Sequence, residues 1–219
     1  MAIDYQKQAE HDASRFVLLS DYVPGIVQEI RYYSTYNFVG ERINGYEEPC
    51  ALLTREAARA LISVANEMIV KGYRLKVFDA YRPVAAVRQF VLWGIEDQDI
   101  RMKPYFYPDL EKQELFEKGY IAGRSSHSRG SAIDLTLLDM RTGRELDMGS
   151  PFDLFDPVSH PDCRAVTEEQ YENRMLLQSA MVRCGFVPYD CEWWHFVLRD
   201  EPYPDAYFTF PVSSAYLKR

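Results

Sequence analysis

Four histidines occur in the chain, and two of them stand among polar residues at spacings that suit metal chemistry. The first lies in Ser125-Ser126-His127-Ser128-Arg129-Gly130-Ser131-Ala132-Ile133-Asp134. Gly130 permits a tight turn, so the His127 imidazole and the Asp134 carboxylate can converge on one point. The second lies in Glu192-Trp193-Trp194-His195-Phe196. Here His195 would open a strand with two tryptophans shielding it, and Glu192 would sit in the turn just before, able to touch a metal-bound water without ligating the metal. A third group, Asp79-Ala80-Tyr81-Arg82-Pro83, ends on a proline that makes the chain leave its strand at once. An arginine on so rigid a junction aims a fixed fork of donors at a carboxylate or a developing oxyanion.

Alone, each pattern also suits a structural role: Asp134 as a cap on backbone amides, His195 as a hydrogen-bonded core histidine, Arg82 in a surface ion pair with Asp79. Together they read differently. Two His and one Asp make a three-ligand set that leaves the fourth tetrahedral position open, the arrangement of catalytic rather than structural zinc. The same donors also take cobalt, nickel or iron.

Such a set needs a scaffold, and 219 residues, 47% of them hydrophobic and 26% charged, suffice for a self-sufficient core. No repeat, low-complexity tract or Gly/Ser linker divides the chain, which predicts a single domain over 1–219. A helix is expected over 55–71, with Thr54 as N-cap, an apolar face of Ala57, Ala58, Leu61, Ile62, Ala65, Met68 and Ile69, and Gly72 as its stop. A strand over 73–78 then runs into the Arg82 junction, and Pro83 opens a second helix through Val84, Val87, Phe90 and Val91. Residues 95–120, rich in charge and tyrosine, read as a long surface excursion with a short helix at 110–118. It leads into the His127 loop and is a candidate cover for the site. Residues 131–138 alternate as a central strand, Thr167 and Gln170 frame a capping box that opens a helix to about Cys184, and 193–198 form a last strand. The uneven spacing of these elements favours an α+β fold over a doubly wound one.

With 33 acidic against 25 basic residues the net charge is −8, which repels phosphate backbones and anionic lipid and argues against nucleic acid and membrane surfaces as partners. No window approaches the ~18 apolar residues of a membrane span. The first residues lack the basic start and apolar run of a secretory signal, so a cytoplasmic location is expected. Cys50, Cys163, Cys184 and Cys191 contain no C-x-x-C pair; reduced, packed thiols are expected, with their pairing open.

At these motifs the sequence resembles the VanX-type D-alanyl-D-alanine dipeptidases, zinc metallopeptidases related to D-Ala-D-Ala carboxypeptidases and, in fold, to the amino-terminal domain of hedgehog proteins. The family's S-x-H-x-x-G-x-A-x-D motif stands at 125–134, its E-x-x-H motif at 192–195 and its Y-R-P at 81–83. The likeness runs from about Arg31 to Pro211 and takes in Phe38-Val39-Gly40, Gly45-Tyr46-Glu47, Lys118-Gly119-Tyr120 and Met148-Gly149-Ser150. It implies a small central, mostly antiparallel sheet flanked by helices, and one Zn2+ held by His127, Asp134 and His195. It implies that Glu192 is the general base and acid and that Arg82 stabilises the tetrahedral intermediate. It also implies an acidic group at Asp153 for the substrate's ammonium, with Tyr120 and Ser125 or Ser126 nearby and Tyr46 and Phe90 as pocket walls. Asp153 equally suits a loop cap, and Tyr46 and Phe90 suit a core. The substrate implied is the free dipeptide D-alanyl-D-alanine, cleaved to two D-alanines in peptidoglycan precursor metabolism, in glycopeptide resistance or in recycling. Two rivals are a D,D-carboxypeptidase acting on muramyl pentapeptide and a catalytically silent zinc-binding module. Glu192 argues against the second, because a silent module has no need of a base three residues before its last ligand.

Overall fold

The computed structural model of the protein describes residues 9–23 and 25–217. In chain order its strands are β1 (Ala9–Glu10), β2 (Phe16–Leu18), β3 (Val27–Gln28), β4 (Leu52–Thr54), β5 (Tyr73–Asp79), β6 (Ala132–Asp139), β7 (Phe186–Tyr189), β8 (Glu192–Leu198) and β9 (Tyr207–Phe208). Its α-helices are α1 (Leu19–Tyr22), α2 (Arg55–Val70), α3 (Val84–Ile95), α4 (Lys103–Phe106), α5 (Lys112–Glu117) and α6 (Glu168–Arg183). The fold is α+β. Its main sheet has the order β3-β5-β6-β8-β7 and is antiparallel except where β3 lies beside β5. The short strands β1, β2, β4 and β9 pair off in two small sheets outside it.

β6 is the centre of this frame, buried on both faces from Ala132 to Thr136 and on to Leu137. Its apolar run explains that position, and it leaves Asp134 and Thr136 as polar groups in the dry interior. Helix α2 buries Ala57, Ala58, Leu61, Val64, Ala65 and Met68. The stripe therefore runs through Val64 rather than Ile69, which flanks it and is exposed. Thr54 holds the N-cap position but does not cap; its hydroxyl pairs with that of Ser131 at 2.8 Å instead. Helix α6 starts on the expected capping box, with Thr167 Oγ1 accepting from the Gln170 amide and Gln170 Oε1 accepting from the Thr167 amide.

Residues 95–120 are not a solvated surface loop. Phe106, Tyr107, Leu110 and Leu115 are buried, the Phe106 carbonyl accepts from the Phe155 amide at 2.7 Å, and Lys112 Nζ donates to the carbonyls at the end of α3. The segment folds as two short helices, α4 and α5, with Pro104 inside the first turn of α4. All four cysteines are free thiols. Among the described residues no helix is long and apolar enough to cross a membrane.

Candidate active site

Strand register decides which polar side chains meet. Asp134 on β6 lies opposite His195 on β8 and, on its other side, opposite Asp79 on β5. The register shifts between Val77 and Asp79, and without that bulge Phe78 would stand opposite Asp134. His127 arrives from outside the sheet, on a 3-10 turn over Ser126–Arg129 that ends at Gly130 with φ +80°. A Cβ at Gly130 would lie 2.3 Å from the Phe16 ring, so that turn admits only glycine. The Arg82 amide donates to the His127 carbonyl at 3.3 Å and ties the turn to the junction after β5.

The three donors face one another closely. His127 Nε2 is 3.1 Å from His195 Nδ1 and 3.3 Å from Asp134 Oδ2, and His195 Nδ1 is 2.9 Å from Asp134 Oδ1. Tetrahedral bonds of about 2.0–2.2 Å would set donors roughly 3.3–3.6 Å apart, so a small contraction separates this cluster from a zinc site. The outward nitrogens are engaged as well. His127 Nδ1 donates to the Ala80 carbonyl at 2.6 Å, and His195 Nε2 lies 3.2 Å from Ser126 Oγ. With protons on the outward nitrogens, the inward ones offer lone pairs to a metal in place of their contacts with Asp134, the outer support that metal-binding histidines use. Burial pushes the Asp134 carboxyl up, but the charges and hydrogen bonds of His127 and His195 outweigh it and hold the group well below the usual carboxylate range. Burial lowers His127, which favours its neutral form. His127, Asp134 and His195 together fit a divalent zinc ion.

Glu192 does not sit in a turn before the last strand; it is the first residue of β8, and the turn is Asp190-Cys191. A register shift between Pro188 and Tyr189 loosens the hairpin there, and Glu192 Oε2 comes to 3.9 Å from His195 Nδ1. Burial pushes its carboxyl up to about 7; Asp134 adds to the rise, while His195 and Arg82 work against it. The two tryptophans back the site rather than line it. Trp193 Nε1 donates to Ser150 Oγ at 2.9 Å, and Trp194 packs edge-on against Phe152.

Arg82 is not in a surface ion pair. Its Nε donates at 2.9 Å to Asp79, which is fully buried and whose other oxygen accepts from Tyr46 Oη at 2.6 Å. The guanidinium lies over the rings of Tyr32 and Phe90 and reaches to 3.7 Å from Asp134. Tyr46 is thus no pocket wall, because its hydroxyl is committed to Asp79 behind the arginine.

These groups surround a cavity of about 330 Å³. Of the residues named from the sequence, Arg82, Phe90, Tyr120, Ser125, Ser126, His127, Asp134, Asp153, Glu192 and His195 line it. Asp153 has φ +64° and is buried, its carboxylate accepting from Tyr32 Oη at 2.9 Å. Burial, reinforced by Asp134 and Glu192, lifts its pKa well above the carboxylate range. From the 95–120 excursion only the last two residues, Gly119 and Tyr120, reach the cavity, the chain continuing along it through Arg124. Sequence reasoning missed Tyr32, Arg124 and Tyr189, whose ring meets His195 edge-on. It paired Asp79 with Arg82, three positions on, but put at the surface a pair that is buried.

The model of the Peptidase_M15 family, described as D-ala-D-ala dipeptidase, matches residues 12–213. The chain belongs to that family. Over 198 residues it is 42% identical to a D-alanyl-D-alanine dipeptidase of Enterococcus faecium and 40% identical to one of Streptomyces coelicolor, each alignment covering 90% of this chain and 98% of the relative. A D-alanyl-D-alanine dipeptidase of Escherichia coli is 34% identical over 187 residues, 85% of this chain and 86% of the relative. The cavity therefore belongs to a member of a peptidase family.

Proposed function

We propose that this peptidase hydrolyses free D-alanyl-D-alanine to two D-alanines with one zinc ion held by His127, Asp134 and His195. The observation that carries the reading is the convergence of that donor set with Glu192 and Arg82 on one small cavity. Zinc bound there supplies Lewis acidity, activating a water and polarising the scissile carbonyl. The protein's own groups do the rest. Glu192, 3.9 Å from the His195 ligand nitrogen, accepts the proton of the attacking water and returns it to the leaving amine; a carboxyl near 7 is suited to both duties. Arg82, held by Asp79, directs its remaining N–H groups at the oxygen that gains charge as the carbonyl carbon becomes tetrahedral. Asp153 is a buried carboxylate with a single neutral partner, Tyr32, and the substrate's ammonium gives it the countercharge it lacks.

A volume of about 330 Å³ sits at the low end of small-ligand pockets and suits a dipeptide better than a muramyl pentapeptide. The reaction would remove a precursor of ordinary peptidoglycan termini, or recycle it, in the cytoplasm. The test is release of D-alanine from D-Ala-D-Ala by zinc-loaded protein, beside L-Ala-L-Ala, N-acetyl-D-Ala-D-Ala and the pentapeptide, with a chelator control. Chelator-sensitive cleavage of the free D,D-dipeptide alone supports the reading. Preference for blocked or long substrates moves it to a carboxypeptidase, and no cleavage of any substrate returns it to a silent zinc module. Glu192→Ala should keep its zinc and lose about 10²–10⁴-fold in kcat; unchanged turnover would remove Glu192 from the mechanism.

A further inference from the structure

A free dipeptide carries two charges, and the reading above accounts for only one of them. Three acidic residues, Asp134, Asp153 and Glu192, and two arginines, Arg82 and Arg124, line the cavity. A substrate carboxylate entering this space is held in place only where a hydrogen-bond donor or a cation meets it. Arg82 is already engaged, its Nε on Asp79 at 2.9 Å and its Nη2 3.7 Å from Asp134. Arg124 is not, for among the described residues no carboxylate lies within ion-pair distance of it. Its guanidinium lies over the ring of Tyr207 with 5.4 Å to the centroid, a contact that uses none of its N–H donors. It is also exposed, at the solvent side of the cavity, whereas Asp153 is buried.

The chain brings this cation close to the reacting centre. Arg124 stands one residue before Ser125 and three before His127, on the stretch that runs along the cavity into the metal turn. Three residues span at most about 11 Å of chain. The carboxylate of a dipeptide is likewise near the reaction, three bonds beyond the scissile carbonyl carbon. That span and the length of an arginine side chain let the cation reach a carboxylate bound beside the metal site.

We infer that Arg124 is the specificity residue that receives the C-terminal carboxylate of the substrate, through a charge-assisted fork of hydrogen bonds, while Asp153 receives the ammonium at the buried end. This rests on the dipeptidase reading and completes it. The two charges fix the substrate's direction, and they penalise peptides whose C-terminus is blocked or lies further along the chain.

The experiment compares D-Ala-D-Ala with its C-terminal amide on the zinc-loaded wild type, Arg124→Met and Arg124→Lys, with zinc content and thermal unfolding measured for each. The wild type should prefer the free acid. Arg124→Met should raise KM for the acid about tenfold or more, leave KM for the amide unchanged, and abolish the preference. Arg124→Lys should recover part of it, because the charge returns without the fork. An unchanged acid-over-amide preference in Arg124→Met overturns the assignment alone, and so does equal loss on both substrates, which marks a structural role. A wild type that cleaves neither the acid nor any D,D-dipeptide overturns the dipeptidase reading and this assignment with it.

Discussion

Arg82 and Arg174 both reach into the interior of this protein, and their surroundings differ in kind. Arg174 on α6 is almost entirely buried and engages all three of its nitrogens: Nε to the Met148 carbonyl at 2.6 Å, Nη1 to the His160 carbonyl at 2.8 Å, Nη2 to the Val158 carbonyl at 2.9 Å and to Ser150 Oγ at 3.5 Å. Those acceptors stand on both sides of Asp153, so Arg174 clamps the segment that presents it and that keeps it at a positive φ. Arg82 instead makes one strong ionic bond from Nε and leaves its outer nitrogens facing the cavity. A buried cation with every nitrogen engaged is architecture; one anchored at the inner nitrogen and open at the tip is equipped for chemistry.

Replacing each arginine tests that contrast. The largest effect should come from Arg82→Met, with kcat falling about 10²–10³-fold, the range for a lost oxyanion donor, and KM changing far less. A change confined to KM would show that Arg82 binds ground state and transition state alike. Arg174→Met should act on stability instead, removing about 3 kcal/mol in urea unfolding because three carbonyls lose their donor in a dry interior, with kcat of the folded fraction within a few-fold of wild type. A stable Arg174→Met with kcat lost to the same degree as Arg82→Met would erase the distinction. Asp79→Asn sharpens it, since the amide preserves shape but not charge behind Arg82. About tenfold in kcat should go, with zinc content unaffected.

The smallest effect concerns a third charged cluster, around Lys76 in the middle of β5. Lys76 is paired with Glu29 and Glu145, and both acids are largely solvated. Burial pushes Glu29 up, but the hydrogen bond and charge of Lys76, with the charge of Arg31, bring it below its ordinary value of 4.5. A lowered folded-state value means that this contribution to stability is complete above 4.5 and fades as pH falls through and below it. The stability difference between wild type and Glu29→Gln should therefore shrink below pH 4.5, measured by urea unfolding across pH. A difference that grows on acidification would contradict the pairing.

Much of the site is legible in the order of residues. Histidine, glycine and aspartate at 127, 130 and 134 report a turn entering a strand, and both are present because the turn needs a left-handed residue and the strand needs an unbroken apolar run. The capping box at Thr167 and the proline after Arg82 are equally local and set where their helices begin. What is not legible is whatever depends on partners distant in sequence. Tyr46, a wall by the resemblance and core by its residue type, is core, and the partner that holds its hydroxyl, Asp79, lies 33 positions away; Asp79 reads as half of a surface ion pair because nothing near it in the chain says that β5 is covered. Residues 95–120 read as a loop because their polar residues outnumber an apolar set that only becomes a core against Trp93 and Phe155.

The sequence by itself determined the chemical inventory: three metal donors, one carboxyl three residues before the last of them, and an arginine on a proline-locked junction. Local rules suffice for that, since turns, caps and strand starts depend on a few neighbouring dihedral angles. Tertiary structure alone decided the electrostatics. Whether Asp153 is charged or strained, whether Arg82 is anchored or free, and which cation is left unpaired at the cavity wall all depend on dielectric and on partners many residues away. Those properties arise only when β5, β6 and β8 come into register and exclude water.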